Sequence, residues 1–197
     1  MKLPSLSRCI YLIYFFLIGG PLFLLATILC CLVVITASYV GLPASFISRT
    51  TGLWSKACLA VSLVRVEVLG QEHLPKSDAP CVVVANHQSA FDIFVLNGHI
   101  GIPFKWVMKQ ELRDIPLVGK ACEAAQFIFV DEKSPSSIVH TIADAKKVLA
   151  TGNSIFIFPE GSRTLSGKMD RFKKGAFVIA SELDAPILPV SIDGAYE

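Results

Sequence analysis

Between Arg8 and Arg49 the chain carries no charged side chain, so residues 9–48 form an uncharged run of 40 positions. As one α-helix such a run measures about 60 Å at 1.5 Å per residue, roughly twice the hydrocarbon thickness of a bilayer. Two legs are therefore expected. Gly19, Gly20 and Pro21 are the natural break, giving a short leg at 6–18 and a leg of spanning length at 21–40. Lys2 and Arg8 precede the run, and Arg49, Lys56 and Arg65 follow it, so the positive-inside bias places both flanks in the cytoplasm. A hairpin or re-entrant pair satisfies that bias; a single span with an interfacial first leg is the other arrangement. A cleavable signal peptide has an apolar core of about 7 to 15 residues, which this run far exceeds. Residues 1–48 thus read as a membrane-associated helical segment, and residues 49–197 as a domain that works at a membrane surface with its site toward the cytoplasm (the inner membrane, in a bacterium).

With 53% hydrophobic and 17% charged residues, the chain is neither disordered nor collagen-like. Lys2 and Arg8 account for the whole net charge of +2, because from Arg49 onward 16 basic residues face 16 acidic ones. A neutral domain lacks the basic footprint of a nucleic-acid binder, so no nucleic-acid partner is expected and any anion site must be local. The six cysteines, at 9, 30, 31, 58, 81 and 122, form no C-x-x-C pair, and none of the four histidines has zinc-type spacing to them. They read as small buried hydrophobes, and no structural metal is expected.

After Arg49, short apolar runs at 81–85, 127–130, 155–158 and 187–192 read as buried strands. Between the second and third lies a helix: Ser134 caps it, Pro135 suits its first turn, Ile138, Ile142, Ala145 and Leu149 make its apolar face, and Gly152 ends it. A second helix, at 175–183, precedes the last strand. The alternation predicts an α/β fold with a mostly parallel sheet and flanking helices, preceded by the hydrophobic helical segment. In such sheets ligands gather at the carboxyl ends of the strands.

Two polar sequences fall at those ends, Asn86-His87-Gln88-Ser89-Ala90-Phe91-Asp92 and Pro159-Glu160-Gly161-Ser162-Arg163-Thr164. On one continuous helix His87 and Asp92 would point about 140° apart, so they meet only across a turn. Ser89-x-x-Asp92 matches a capping box, which starts a helix at Ser89 and lets the aspartate reach back to the imidazole. A carboxylate on one ring nitrogen makes the other a better proton acceptor. Asp92 acting only as a cap, with His87 bonded to loop backbone, fits the same spacing; a metal held by His87, Asp92 and His99 is a third arrangement. No G-x-S-x-G nucleophile elbow occurs, which suits direct attack by a substrate hydroxyl on an activated acyl or phosphoryl group. Gly161 permits close backbone approach to an anion and Arg163 offers a bidentate fork. Lys168, Arg171, Lys173 and Lys174 join Arg163 against the single Asp170, a local excess of four positive charges suited to a phosphate or to anionic headgroups. Lys109 adds either another cation or an ion pair with Glu111.

These residues carry a family resemblance. The chain resembles the glycerolipid acyltransferases, specifically those that acylate 1-acylglycerol-3-phosphate. Asn86 to Asp92 is similar to the family's N-H-x-x-x-x-D block, which implies His87 as base and Asp92 as its orienting group. Phe158 to Thr164 resembles the F-P-E-G-T-R block, with serine for threonine, implying that Asn86, Glu160, Gly161, Ser162, Arg163 and Lys109 line the acceptor site. Leu188-Pro189-Val190 resembles the fourth block, placing Pro189 on the acyl-donor side. The second block departs from pattern, with Asp131-Glu132-Lys133 putting glutamate where an arginine is usual. The family typically continues beyond the fourth block, so a domain short at its C-terminal edge is expected. The resemblance implies a membrane enzyme of phospholipid synthesis that uses acyl-CoA or acyl-carrier protein as co-substrate, a lysophospholipid as acceptor, and no cofactor. Another lysolipid acceptor, or an inactive lipid-binding homologue, are the alternatives that Glu132 raises.

Overall fold

In the computed structural model, residues 6–75, 79–131, 137–164 and 166–195 are described. Five parallel strands, β1 (Val82–Ala85), β2 (Phe104–Lys109), β3 (Ile128–Val130), β4 (Ser154–Ile157) and β5 (Ile187–Val190), form one sheet in the order β3-β2-β4-β1-β5. β1 is buried along its whole length, as a Val-Val-Val-Ala run covered on both faces requires. One face packs Val83, Ala85, Trp106 and Phe156 against α4 (Phe91–His99). The other packs Val82, Val84 and Ile155 against α6 (Ser137–Ala150) and α7 (Gly175–Glu182). Ser134 and Pro135, the expected cap and first turn of α6, lie outside the described residues, as do Glu132 and Lys133.

The strand that the hydrophobic pattern does not disclose is β2, where Lys105 and Lys109 interrupt the apolar run. Lys105 is only 3% exposed, and its ammonium donates to the Ala125 carbonyl at 2.7 Å, where α5 (Val118–Ala124) ends. Burial pushes this amine below the ordinary lysine value. A cation at a helix C-terminus meets the negative end of the helix dipole, which offsets part of that desolvation.

The expected break at Gly19-Gly20-Pro21 is absent, and the helix runs without interruption from Leu6 to Tyr39 over 34 residues. It comprises α1 (Leu6–Tyr14), a π turn (Phe15–Gly19) and α2 (Gly20–Tyr39). The Gly20 N–H reaches back to the Phe15 carbonyl across this wider turn, and Pro21 follows in the first turn of α2. A widened turn just before a proline relieves the clash between its ring and the preceding carbonyls, so the chain bypasses the break. Gly19 permits a close approach, since a Cβ there would lie 3.0 Å from the Val61 carbonyl oxygen.

The reversal comes instead at residues 40–43, with Gly41 at φ +73, and leads into α3 (Ala44–Val61), which packs along α2. The expected domain boundary at 48/49 therefore falls inside α3. Tyr14 and Tyr11 donate their hydroxyls to the Val61 and Ser62 carbonyls, satisfying acceptors that a helix C-terminus leaves open. Along α2, Cys31, Val34 and Ala37 are buried with Ile47, Ala121 and Ala125, and Phe23 meets Phe94 of α4 edge-on at 5.1 Å.

These contacts orient the hairpin. Ile47 and Thr51 lie beside Ile102, Pro103 and Phe104 at the amino end of β2, so the α2–α3 turn is at the amino ends of the strands. The π turn and α1 consequently project at the carboxyl ends.

Gly119 sits where a Cβ would fall 1.9 Å from the Arg113 carbonyl oxygen. Gly119→Ala is expected to destabilise the protein by about 3 kcal/mol in thermal or urea unfolding. Gly175→Ala, at a position with no atom within 4 Å of the added carbon, should be neutral or slightly stabilising.

Candidate active site

His87 leaves the carboxyl end of β1, and Asp92 lies in the first turn of α4. The turn between them brings His87 Nδ1 to 2.8 Å from Asp92 Oδ2. The same oxygen accepts the backbone N–H groups of Gln88 at 2.7 Å and Ser89 at 2.9 Å. Half of the expected capping box is thereby formed: Asp92 reaches back to Ser89, whereas the Ser89 hydroxyl accepts from Phe91 at 3.2 Å and the helix begins at Phe91 rather than Ser89. Asp92 is fully buried, and its Oδ1 has no hydrogen-bond partner among the described residues.

Because a carboxylate only accepts, this contact assigns the proton of a neutral imidazole to Nδ1, which leaves Nε2 as the ring's acceptor. The imidazole lies flat on the Phe158 ring, with centroids 3.8 Å apart and planes within 10°, and Phe158 stacks in turn on Trp106. Asp92 at one edge and Phe158 beneath fix both the tautomer and the ring plane. The side chain is 13% exposed, and Nε2 has no hydrogen-bond partner among the described residues.

The metal arrangement with His99 is not assembled. His99 is at the far end of α4, with its Nδ1 at 3.2 Å from the Val95 carbonyl, and no group of three or more His, Cys, Asp and Glu among the described residues is placed to hold a metal.

Two of the predicted site residues act as braces. Asn86, 4% exposed, donates to the Ile192 carbonyl and accepts the Ile192 N–H, both at 2.8 Å, tying the end of β1 to the segment after β5. Glu160, 3% exposed, accepts the His87 N–H at 2.6 Å and the Asp170 N–H at 2.7 Å on its two oxygens. A histidine on a buried aspartate, with Nε2 open at a parallel sheet's carboxyl edge, is an arrangement suited to general-base chemistry.

Comparison with known proteins agrees with that geometry. A family model described as Acyltransferase matches residues 65–193. The chain belongs to the acyltransferase family. A 1-acyl-sn-glycerol-3-phosphate acyltransferase of Chlamydomonas reinhardtii is 32% identical over 192 residues, which is 98% of this chain and 56% of that protein. The alpha form from Homo sapiens is 38% identical over 132 residues, 64% of this chain and 45% of that protein. The crystal structure of the 1-acyl-sn-glycerophosphate acyltransferase PlsC from Thermotoga maritima superposes with a TM-score of 0.70 at 27% identity, covering 96% of this chain and 76% of that one. The chain spans about half the length of the curated relatives it matches.

Within this acyltransferase domain the remaining predicted residues are unevenly placed. Gly161 closes a turn by donating to the Phe158 carbonyl at 3.0 Å and adopts φ +77, which favours glycine. Ser162 and Arg163 follow on the exposed loop, together with Lys168, Arg171, Lys173 and Lys174. Lys109 ends β2 at the same carboxyl edge, with β4 between it and β1. Pro189 is not gathered with the imidazole: its register beside Val84 puts it on the α6/α7 face, whereas His87 stacks on Phe158, which packs against the other face. Phe158 and Thr164, whose N–H donates to the His87 carbonyl at 3.0 Å, stood in the recognised blocks without an expected role.

Nitrogen NMR should find neutral His87 as the Nδ1–H tautomer. Asp92→Asn should shift it toward Nε2–H and cut turnover by about 10³-fold, as loss of a correctly oriented base does. An unchanged tautomer would separate Asp92 from the imidazole's protonation.

Proposed function

We propose that the chain transfers an acyl group from acyl-CoA or acyl-carrier protein to the 2-hydroxyl of 1-acylglycerol-3-phosphate, giving phosphatidic acid. The observation that carries this reading is the Asp92-held His87 ring with Nε2 open at the carboxyl edge, beside a loop rich in exposed cations. Nε2 takes the hydroxyl proton as the oxygen attacks the thioester carbonyl. The tetrahedral intermediate collapses with loss of the thiolate, which recovers the proton from His87, so ester and thiol form without net change at the enzyme. Thioesters are already activated, so the step requires no cofactor. Arg163 and the adjoining backbone N–H groups hold the acceptor phosphate.

Membrane attachment belongs to the same proposal. Leu6, Ile13, Phe16 and Leu17 are 60–82% exposed on the part of the helix that projects at the catalytic end, and Leu63 is exposed near the end of α3. The cationic loop lies at that end too. Apolar and cationic groups together suit an anionic bilayer surface, with the site opening onto the leaflet that supplies the lysophospholipid. One stripe of α2 packs on α5 and α3, while the helix Leu6–Tyr39 as a whole is long and apolar enough to cross a membrane.

Purified protein incubated with labelled acyl-CoA and a panel of lysolipids should acylate 1-acylglycerol-3-phosphate, and His87→Ala should lower that rate by 10²-fold or more, in keeping with about 10²–10⁴ for a general base. Product from a different lysolipid alone would reassign the acceptor, and no product from any would favour a lipid-binding homologue.

The Ile13→Glu/Phe16→Glu double variant should stay at the bottom of a flotation gradient with anionic vesicles while the parent floats. Flotation of both would place the membrane contact elsewhere.

A further inference from the structure

We infer that Glu160, which the family resemblance assigns to the acceptor, is a positioning residue that locks the cationic loop to the catalytic histidine. The inference rests on the acyltransferase reading and deepens it. Both carboxylate oxygens are occupied by backbone donors, the His87 N–H at 2.6 Å and the Asp170 N–H at 2.7 Å, and the residue is 3% exposed. Each oxygen is turned onto a backbone donor inside the protein, and a carboxylate repels a substrate phosphate rather than binding it.

The loop it anchors is closed on itself. The Lys173 N–H donates to the Pro159 carbonyl at 2.8 Å, which brings together the two ends of a loop carrying Arg163, Lys168 and Arg171. This loop grips the His87 residue from both sides: Glu160 accepts its N–H, and Thr164 donates to its carbonyl at 3.0 Å. Gln88 Nε2 adds a contact to the Gly167 carbonyl at 3.3 Å. Asp92 and Phe158 therefore set the imidazole ring, while Glu160 and Thr164 set the peptide that bears it. The cations and the base share one frame, with Glu160 joining the far side of the loop, at Asp170, to the histidine.

Glu160→Gln preserves shape but presents an amide N–H₂ to one of two backbone donors. It should lower kcat on the order of 10²-fold, the cost of a base displaced by about 1 Å, while the acceptor KM stays within about threefold. Arg163→Ala should show the opposite split. Glu160→Asp, which keeps two accepting oxygens on a shorter stem, should recover part of the lost kcat.

Amide hydrogen exchange on the same variant gives a reading independent of turnover. Exchange at His87 and Asp170 should rise together, while the Ile192 amide, held by Asn86, stays protected and reports an intact fold. If Glu160→Gln unfolds, Asp170→Pro removes one donor and leaves the carboxylate; it should lower kcat in the same way. A raised acceptor KM at unchanged kcat would make Glu160 a ligand, and faster exchange at Asp170 alone would show that loop and histidine are not coupled; either overturns the inference. A parent protein inactive on every lysolipid would overturn the functional reading, while the exchange measurement would still decide the role of Glu160.

Discussion

One carboxylate oxygen, Asp92 Oδ2, organises the site. It collects the imidazole Nδ1–H and the N–H groups of Gln88 and Ser89, so a single buried acceptor shapes the turn, starts the helix and selects the tautomer. A charged acceptor strengthens each of these bonds, and burial away from water removes the competition that would weaken them. The concentration of three donors on Oδ2 leaves Oδ1 without a partner among the described residues. Local folding and side-chain chemistry are inseparable here, because the group that shapes the strand-to-helix turn is also the group that holds the imidazole Nδ1.

Around that oxygen the strand ends are tied by side chains rather than by more sheet. Asn86 replaces a missing ladder rung between β1 and the segment after β5, and Glu160 does the same between the His87 loop and the loop at Asp170. Backbone groups that leave a sheet must find partners, and buried amides and carboxylates at the carboxyl edge provide them. The result is a rigid rim from which the cations Arg163, Lys168 and Arg171 project. Under the proposed reaction, preorganised geometry of this kind lowers the reorganisation required when charge moves.

The N-terminal helix shows why local rules can mislead. Gly-Gly-Pro normally interrupts a helix, yet here the π turn accommodates Pro21, and Gly19 is used for its lack of a side chain against Val61. The stripe Cys31, Val34 and Ala37 then docks on α5 and α3, so tertiary contact supplies the energy that propensity withholds. Something similar hides β2: two lysines make it look unlike a strand, but one of them is buried by bonding a helix C-terminal carbonyl 20 residues away. By contrast, β1, β3, β4, β5 and the apolar face of α6 were legible as elements, because short β-branched runs and a 3.6-residue period leave few alternatives, although β5, read as buried, is an edge strand with alternating exposed and half-buried residues.

The sequence by itself determined the chemical groups at the strand ends and allowed His87 to meet Asp92 across one turn, although an aspartate acting only as a cap fitted the same spacing. Only the tertiary structure decided which neighbouring polar residues stay exposed at the carboxyl edge and which brace the rim. Asn86 and Glu160 find partners 106 and 73 residues away, and distances of that kind are set when strands assemble into a sheet, not by the spacing within either block. A buried acceptor goes to whichever orphaned N–H the fold brings nearest, so neighbouring polar residues divide between holding the imidazole and bracing the rim according to packing.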